Sequence, residues 1–574
     1  MTVYWVVWDA AAHWVVDRLE LEGALPAVTR MRTHGTIAAA RPAHPNCQTP
    51  PSLATLFTGT WPSEHQVTGY TVPGAGAEAG AGLADHLSGF APCFPAVSPV
   101  WESASEADLG SAFVHVPWVF GEQGTVGHYV DGAVEAYSQR LARHSVLELA
   151  PGGPPCGWEV GGFRVEVGPV DSDGPVRLSC GGSELRVEVG GDWRPLRLND
   201  AGLGTWVACV RTPERLLLVH TGVWEQRTAG RNRRLVRRLR GCPPFAGEGV
   251  GPLYRTGVLG PRLAEGGDGS AESVFLASVE CVTRAFGAAT DEVLREHAAD
   301  LVVVYLPMTD DVGHELLGWC DEKSAAHRPD IAHRVWPYIR RCYRGADEIL
   351  GRVLDRAGAE DTVLLGADHG MVGSTHLVHV NDQLVHAGLA VPATGGALDL
   401  ERSQVIYHPA NNGSLWNTEP GDRATARAAM ARALASLRTL TDPETGHRVV
   451  RGFLDRDGNP LPDDTDAPPE VFLVLNDDYQ PSAQPSPDGV TVRRSAKTGA
   501  HVVYTGDSRL HAIHAATGPG IPVGASLATL DNTVPARLVL TQLGMTQLGM
   551  ARLGMAHDHA AHSDHPGSDH PTLN

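Results

Sequence analysis

Asp368 and His369 stand side by side at the end of an apolar run, TVLLGA, with Gly370 directly after them. An oxygen and a nitrogen donor held together suit a divalent metal of the zinc type. The same pair can equally serve as a hydrogen-bonded loop anchor. Two more apolar runs end in the same way. VYWVVW leads into Asp9, and LVVVYLP leads to Asp310, with His314 four residues on. One helical turn would put Asp310 and His314 on one face. A Gly-Ala-His sequence places His501 after a turn, and Thr49 precedes Pro50-Pro51. Together these residues offer two metal sites and a hydroxyl nucleophile. Each has a plainer reading as well: Asp9 as the cap of a helix starting near Ala10, and Thr49 as an ordinary N-cap.

The elements that must carry them follow from pattern. Runs as short as Val363-Leu364-Leu365 fit strands buried on both faces, and Gly366 and Gly370 allow the chain to turn where the strand stops. A parallel sheet of such strands presents its chemistry at the carboxyl edge. Proline favours a first helical turn, so Thr49 is expected at or just before a helix N-terminus. There the macrodipole favours an alkoxide and binds phosphate. Thr58-Gly59 closes that helix. Helices are also expected over Ala288–His297, over His333–Ala357 with Pro337 in its first turn, and over Ala424–Leu437. Between 151 and 227 the chain becomes short β-rich segments (FRVEVG, VRLSC, ELRVEV, WRPLRL, TWVACV, RLLLVH) separated by turn residues. Seven arginines then crowd residues 227–240. They read either as a solvated surface segment or as a basic lid over an anionic substrate.

Bulk properties narrow the class. With 574 residues and 42% hydrophobic content, the chain can bury a large core. Its formal net charge of −20 argues against nucleic-acid polymers as partners. No apolar run approaches the roughly 18 residues of a membrane span, and MTVYWVVWDA lacks the basic start of a signal peptide. Nine scattered cysteines without a CxxC read as free thiols of a cytoplasmic protein.

The set of residues resembles the alkaline phosphatase superfamily, specifically its type I phosphodiesterase/nucleotide pyrophosphatase branch. The matching positions are Asp9; Thr49 with Thr58-Gly59, Pro62 and His65; Asp310-x-x-x-His314; Asp368-His369-Gly370-Met371; and Gly499-Ala-His501. The resemblance implies an α/β/α sandwich around a mostly parallel sheet. It implies two divalent metal ions, zinc or alternatively manganese. One would be held by Asp310, His314 and His501, the other by Asp9, Asp368 and His369 with Thr49 bridging to it. Thr49 would attack a small phosphorylated substrate, forming a phosphothreonine that water then cleaves. Phosphodiester or nucleotide pyrophosphate bonds are the expected targets. Phosphomonoesters, phosphonates and a phosphomutase reaction are the alternatives.

There are departures. Eukaryotic phosphodiesterases of this kind carry an Asn three residues after the nucleophile and use the backbone N–H just after it. Here those positions are Ser52 and Pro50, and Pro50 has no N–H. The Thr-Pro-Pro-Ser pattern and the β-rich insertion look closer to bacterial predicted phosphohydrolase/phosphomutase members. The expected organisation is a catalytic core in three parts, 1–150, 276–399 and 496–545. A β-rich insertion with the arginine segment spans 151–275, and a smaller insertion or lid spans 400–495. A His-rich tail at 546–574 is read as disordered.

Overall fold

The computed structural model describes residues 1–73, 86–170, 174–199, 202–244, 249–296, 299–394, 397–408, 413–418, 423–462 and 468–545. The expectation of a disordered tail over 546–574 lies outside the described residues.

The three apolar runs are strands, Val3–Trp8, Leu301–Leu306 and Thr362–Ala367, and every residue in them is buried. The first lies between the other two and is parallel to both. Its register pairs Trp8 with Leu306 on one side and with Ala367 on the other. The three strands therefore end level, and the residues that follow them emerge at one edge. The whole sheet has ten strands. Its order is Val223–Ala229, Val130–Ala142, Ser111–Val114, Leu301–Leu306, Val3–Trp8, Thr362–Ala367, Ala512–Thr517, Thr36–Arg41 and Ala525–Ser526, with Leu530–Asp531 also pairing Thr36–Arg41. Most pairings are parallel. Val223–Ala229 at one edge and Ala512–Thr517 in the body run antiparallel to their neighbours.

Strand side chains alternate between faces, and that alternation builds two cores. Tyr4, Val6, Trp8, Val304, Leu306 and Leu365 pack with residues of the helices Ser270–Arg295, Met308–Cys320 and Pro329–Arg356. Val3, Trp5, Val7, Val303, Tyr305 and Leu364 pack on the opposite side with Leu53, Leu56 and Phe57 and with Val539 and Leu540. The expected α/β/α sandwich is present. The long helix at Pro329–Arg356 starts earlier than its pattern suggested. Pro329 occupies the first turn, and Pro337 lies within the helix.

The β-rich segment forms two four-stranded sheets, and their strands lie within residues 145–220. It has its own core around Trp158, Val165, Leu178 and Leu218. The chain then returns to the central sheet as Val223–Ala229, and residues 233–241 are helical. A second block has a separate core of Val405, Leu415, Met430, Leu434 and Leu473, built from a four-stranded antiparallel sheet and the Arg423–Arg438 helix. Among the described residues no helix is long and apolar enough to cross a membrane.

Burial of uncharged imidazoles makes this fold acid-sensitive. Burial pulls His65 and His115 down to about 3 and His514 to about 4. Above about pH 6.5 both the folded and unfolded chains hold them neutral, so they contribute nothing. Below it the unfolded chain takes up protons that the folded chain refuses. Stability should fall towards pH 4 by up to about 1.4 kcal/mol per pH unit for each such histidine. Urea unfolding between pH 7 and pH 4.5 measures the slope, which should be shallower in His514→Leu. Parallel curves for that variant and the parent would refute His514's share.

Candidate functional site

The level strand ends bring the chemistry together. Asp9 follows Trp8, and its N–H donates to Leu306 O at 2.9 Å. One carboxylate oxygen of Asp9 accepts from the Tyr305 hydroxyl, and its carbonyl accepts from Thr309 Oγ1. It caps no helix, because the following helix, His13–Leu21, has Ala12 at its N-cap. Asp368 follows Ala367 and is fully buried. Its Oδ1 accepts from the Ala10 and His369 N–H groups, both at 3.0 Å. The loop-anchor reading therefore holds for one oxygen, and the other is left over. Asn532 Nδ2 donates to the carbonyls of Ala367 and Asp368 at 2.9 and 2.8 Å, which fixes the backbone at the turn.

The His369 Nδ1 nitrogen bonds to the Gly370 carbonyl at 3.0 Å, so Nε2 keeps its lone pair. That Nε2 lies 3.5 Å from Asp9 Oδ1, 3.3 Å from Asp368 Oδ2 and 3.3 Å from Thr49 Oγ1. Asp310 and His314 share a face of the Met308–Cys320 helix, as their spacing implied. His314 Nδ1 bonds to the Gly499 carbonyl at 2.8 Å, and its Nε2 is 3.4 Å from Asp310 Oδ1. His501 Nε2 completes this half, 3.1 Å from Asp310 Oδ1 and 3.2 Å from His314 Nε2. The His501 ring stacks on His369, centroids 3.8 Å apart, so the halves touch. All seven sequence-predicted residues converge here.

Thr49 is the first residue of the Thr49–Thr58 helix, and Gln48 is the N-cap. The N-cap reading of Thr49 is therefore set aside. Its hydroxyl faces His369 and the Tyr70 hydroxyl, which donates to it at 3.1 Å. The chain before it is paired to the His501 segment by Cys47 N–H to Val502 O at 2.9 Å and Tyr504 N–H to Pro45 O at 2.8 Å. Gly59 ends the helix in the left-handed conformation, φ 71°. His65 has no part in the cluster. Its Nδ1 accepts from Val67 N–H, so its Nε2–H donates to Thr55 Oγ1 at 3.0 Å, locking helix to loop.

The electrostatics suit a bound cation. Asp9 Oδ1, Asp310 Oδ1 and Asp368 Oδ2 are buried and accept no hydrogen bond. Burial raises Asp9 well above the carboxylate range, reinforced by Asp368 and Asp310. Asp368 is pushed up to about 7, burial outweighing the Ala10 N–H and His501. In Asp310 burial acts upwards too, but the three imidazoles around it hold it low. Burial depresses His369 strongly and His314 to about 3. Neutral His369 and His314 cannot balance three buried carboxylates. Donor atoms of Asp9, Asp368 and His369, and likewise of Asp310, His369 and His501, lie within 4.8 Å of one another. Oxygen and imidazole donors at that spacing fit divalent cations of the zinc class.

The arginine run does not face this cluster. It begins on the Val223–Ala229 strand, four strands from Val3–Trp8, or roughly 19 Å at the usual strand spacing. Arg231 pairs with Asp131, and Arg234 and Arg238 pair with Glu296. Sequence reasoning also missed several supporting residues. Tyr305 carried one signal, a lone hydroxyl in an aliphatic strand on the same face as Asp9. Tyr70, Thr309 and Asn532 carried none.

Residues 6–172 and 238–503 match the family model of type I phosphodiesterases/nucleotide pyrophosphatases, and all seven residues fall inside the match. No curated protein sequence matches the chain significantly. Among solved structures, phosphonoacetate hydrolase from Sinorhizobium meliloti is similar at 14% identity and a TM-score of 0.47, over 95% of this chain and 96% of its own. Human ectonucleotide pyrophosphatase/phosphodiesterase 5 is similar at 11% and 0.46, over 95% of each chain.

Gly370 shows how tightly the metal-side loop is held. A Cβ there would lie 2.4 Å from Arg509 O and 2.7 Å from Leu510 C, both backbone. Gly370→Ala should therefore displace His369 and cost about 1–3 kcal/mol of stability. Thermal unfolding and zinc titration report the two effects. Wild-type melting and wild-type zinc affinity together would contradict this account of the loop.

Proposed function

The chain belongs to the type I phosphodiesterase/nucleotide pyrophosphatase family and is a phosphoric ester hydrolase, and we propose that it cleaves phosphodiester or nucleotide pyrophosphate bonds through a phosphothreonine at Thr49. The observation that carries this reading is the trio of unpartnered buried carboxylate oxygens gathered around His369, whose Nε2 lies 3.3 Å from the Thr49 hydroxyl. Asp9, Asp368 and His369 would hold one divalent cation with Thr49, and Asp310, His314 and His501 a second. Zinc suits the donors, with manganese as the alternative. When bound, the cations supply positive charge that acidifies a nearby hydroxyl and offsets charge on a departing oxygen.

The chain's own residues set up the rest. Helix geometry and the Pro45–Tyr504 pairing fix Thr49 Oγ1 against His369. Thr49, its proton lost to solvent, forms a bond to phosphorus while the ester oxygen leaves with the electron pair of its own bond. Water then cleaves the phosphothreonine, restoring the hydroxyl and releasing the phosphoryl group. Ser52 is the rival hydroxyl one helical turn on, but it is the Thr49 hydroxyl that lies within reach of His369 Nε2. The substrate would be a small phosphorylated molecule. Its acidic balance disfavours nucleic-acid polymers. The nine unpaired cysteines support a cytoplasmic setting.

Two results test the proposal. Chelation should abolish turnover of an aryl phosphodiester, and zinc or manganese should restore it. Thr49→Ala should lose several orders of magnitude in kcat, about 1.4 kcal/mol of barrier per tenfold, with the six Asp and His donors intact. Activity unchanged by chelation, or a phosphoryl group trapped on Ser52, would defeat it. Monoesters and phosphonates run beside diesters and dinucleotides decide the substrate class.

A further inference from the structure

Phosphoryl transfer needs hydrogen-bond donors for the oxygens that gain charge. A helix start ordinarily supplies them from its first free N–H groups. This helix cannot. Pro50 and Pro51 have no N–H, and Ser52 N–H is spent on Gln48 O at 3.0 Å. Thr49 N–H alone remains of that turn. The donor that does point at the nucleophile is the Tyr70 hydroxyl, 3.1 Å from Thr49 Oγ1.

The hydrogen bonds around Thr49 have one consistent direction. His369 Nδ1 is used on the Gly370 carbonyl, so Nε2 accepts. Thr49 Oγ1 lies 3.3 Å from that nitrogen, which is the one offered to the cation, and receives a hydrogen from Tyr70. The Tyr70 ring is also deliberately placed. It packs edge-on to Phe90, centroids 6.1 Å apart, and Phe90 tilts onto Trp118 at 5.6 Å. Gly89 N–H donates to Tyr70 O at 2.8 Å, and Trp118 Nε1 donates to Gly89 O at 3.1 Å. Gly89 lies so close to Gly69 that a Cβ would sit 2.2 Å from its carbonyl, and 3.2 Å from the Pro50 ring. The Gly69–Gly89 contact is thus set directly against the nucleophile's turn, at the base of the arm formed by the paired strands Thr71–Pro73 and His86–Ser88. Tyr70 as a residue is 42% exposed while its hydroxyl reaches Thr49.

We propose that Tyr70 is a catalytic residue whose hydroxyl replaces the amide donors removed by Pro50 and Pro51. It donates to Thr49 Oγ1 in the free enzyme and to the neighbouring phosphoryl oxygen once Oγ1 is bonded to phosphorus. Tyr70 keeps its proton throughout. The inference rests on Thr49 as the attacking group.

Tyr70→Phe keeps the ring on Phe90 and removes only the hydroxyl. With an aryl phosphodiester and the metal-loaded enzyme, kcat should fall about 10²–10³-fold while KM, metal content and melting temperature stay near wild type. Replacing a non-bridging oxygen of the ester by sulfur, a poorer acceptor, should slow the wild type more than Tyr70→Phe. A purely structural role would leave that ratio unchanged. Should the phenylalanine variant fold poorly, 3-fluorotyrosine at position 70 keeps the shape and alters donor strength, so kcat should shift. A wild-type kcat in Tyr70→Phe with an inactive Thr49→Ala overturns this inference alone. A fully active Thr49→Ala overturns the parent reading with it.

Discussion

Everything at this site is organised by charge that the protein does not itself neutralise. Three carboxylates converge at the carboxyl edge of the sheet, each with an oxygen that accepts no hydrogen bond. Two unit charges about 5 Å apart repel by about 3 kcal/mol at an effective dielectric near 20, before desolvation is counted. The surrounding histidines give no relief, since burial holds His369 and His314 in the neutral form. A fold keeps such a cluster only if something positive occupies it or its protons do. The second bonds bear on which, and they suit the cation proposed above. Tyr305, Ala10 N–H and His369 N–H each engage one oxygen of an aspartate and leave the other bare. That is the pattern of ligands oriented from behind.

The positioning comes from the register of three strands. Val3–Trp8 pairs residue for residue with Leu301–Leu306 and Thr362–Ala367, so Asp9 and Asp368 leave the sheet at one level. A slip by one residue would turn each side chain to the other face, and the alternating cores on either face resist it. The other half is held by backbone contact. His314 is tied to the Gly499 carbonyl, and a Cβ on Gly499 would lie 2.3 Å from Gly313 O. The Gly-Ala-His sequence thus reflects a close approach between two main chains, which brings His501 beside Asp310.

The sequence made the clustered residues legible for a simple reason. Strand-ending aspartates, an i, i+4 Asp–His pair and a threonine before two prolines are local patterns, and local geometry carries them into the structure unchanged. The strands were legible because they are uniformly apolar. What failed was of another kind. Pro337 sits inside a long helix because packing along Ile339, Ile349 and Val353 outweighs the missing N–H. The arginines of 227–240 allowed a surface segment or a lid in one dimension, and strand order favours the first by placing them at the far edge, where Asp131 and Glu296 engage them. Tyr70 and Asn532 were invisible because each acts across a separation of 21 residues or more, with no pattern around it.

The two prolines after Thr49 give this site its individual character. They fix the backbone of the helix start and so place the hydroxyl, but they strip the turn of the amides that would otherwise meet a phosphoryl oxygen. Position and charge stabilisation are thereby separated. The helix contributes the first, and side chains arriving from elsewhere must contribute the second. The Gly69–Gly89 approach, closed against the Pro50 ring, is what lets one such side chain reach Thr49 from the arm above. Proline at position 50 and glycine at position 89 are therefore parts of one arrangement. The ring that removes the amide also provides the surface on which its replacement is mounted.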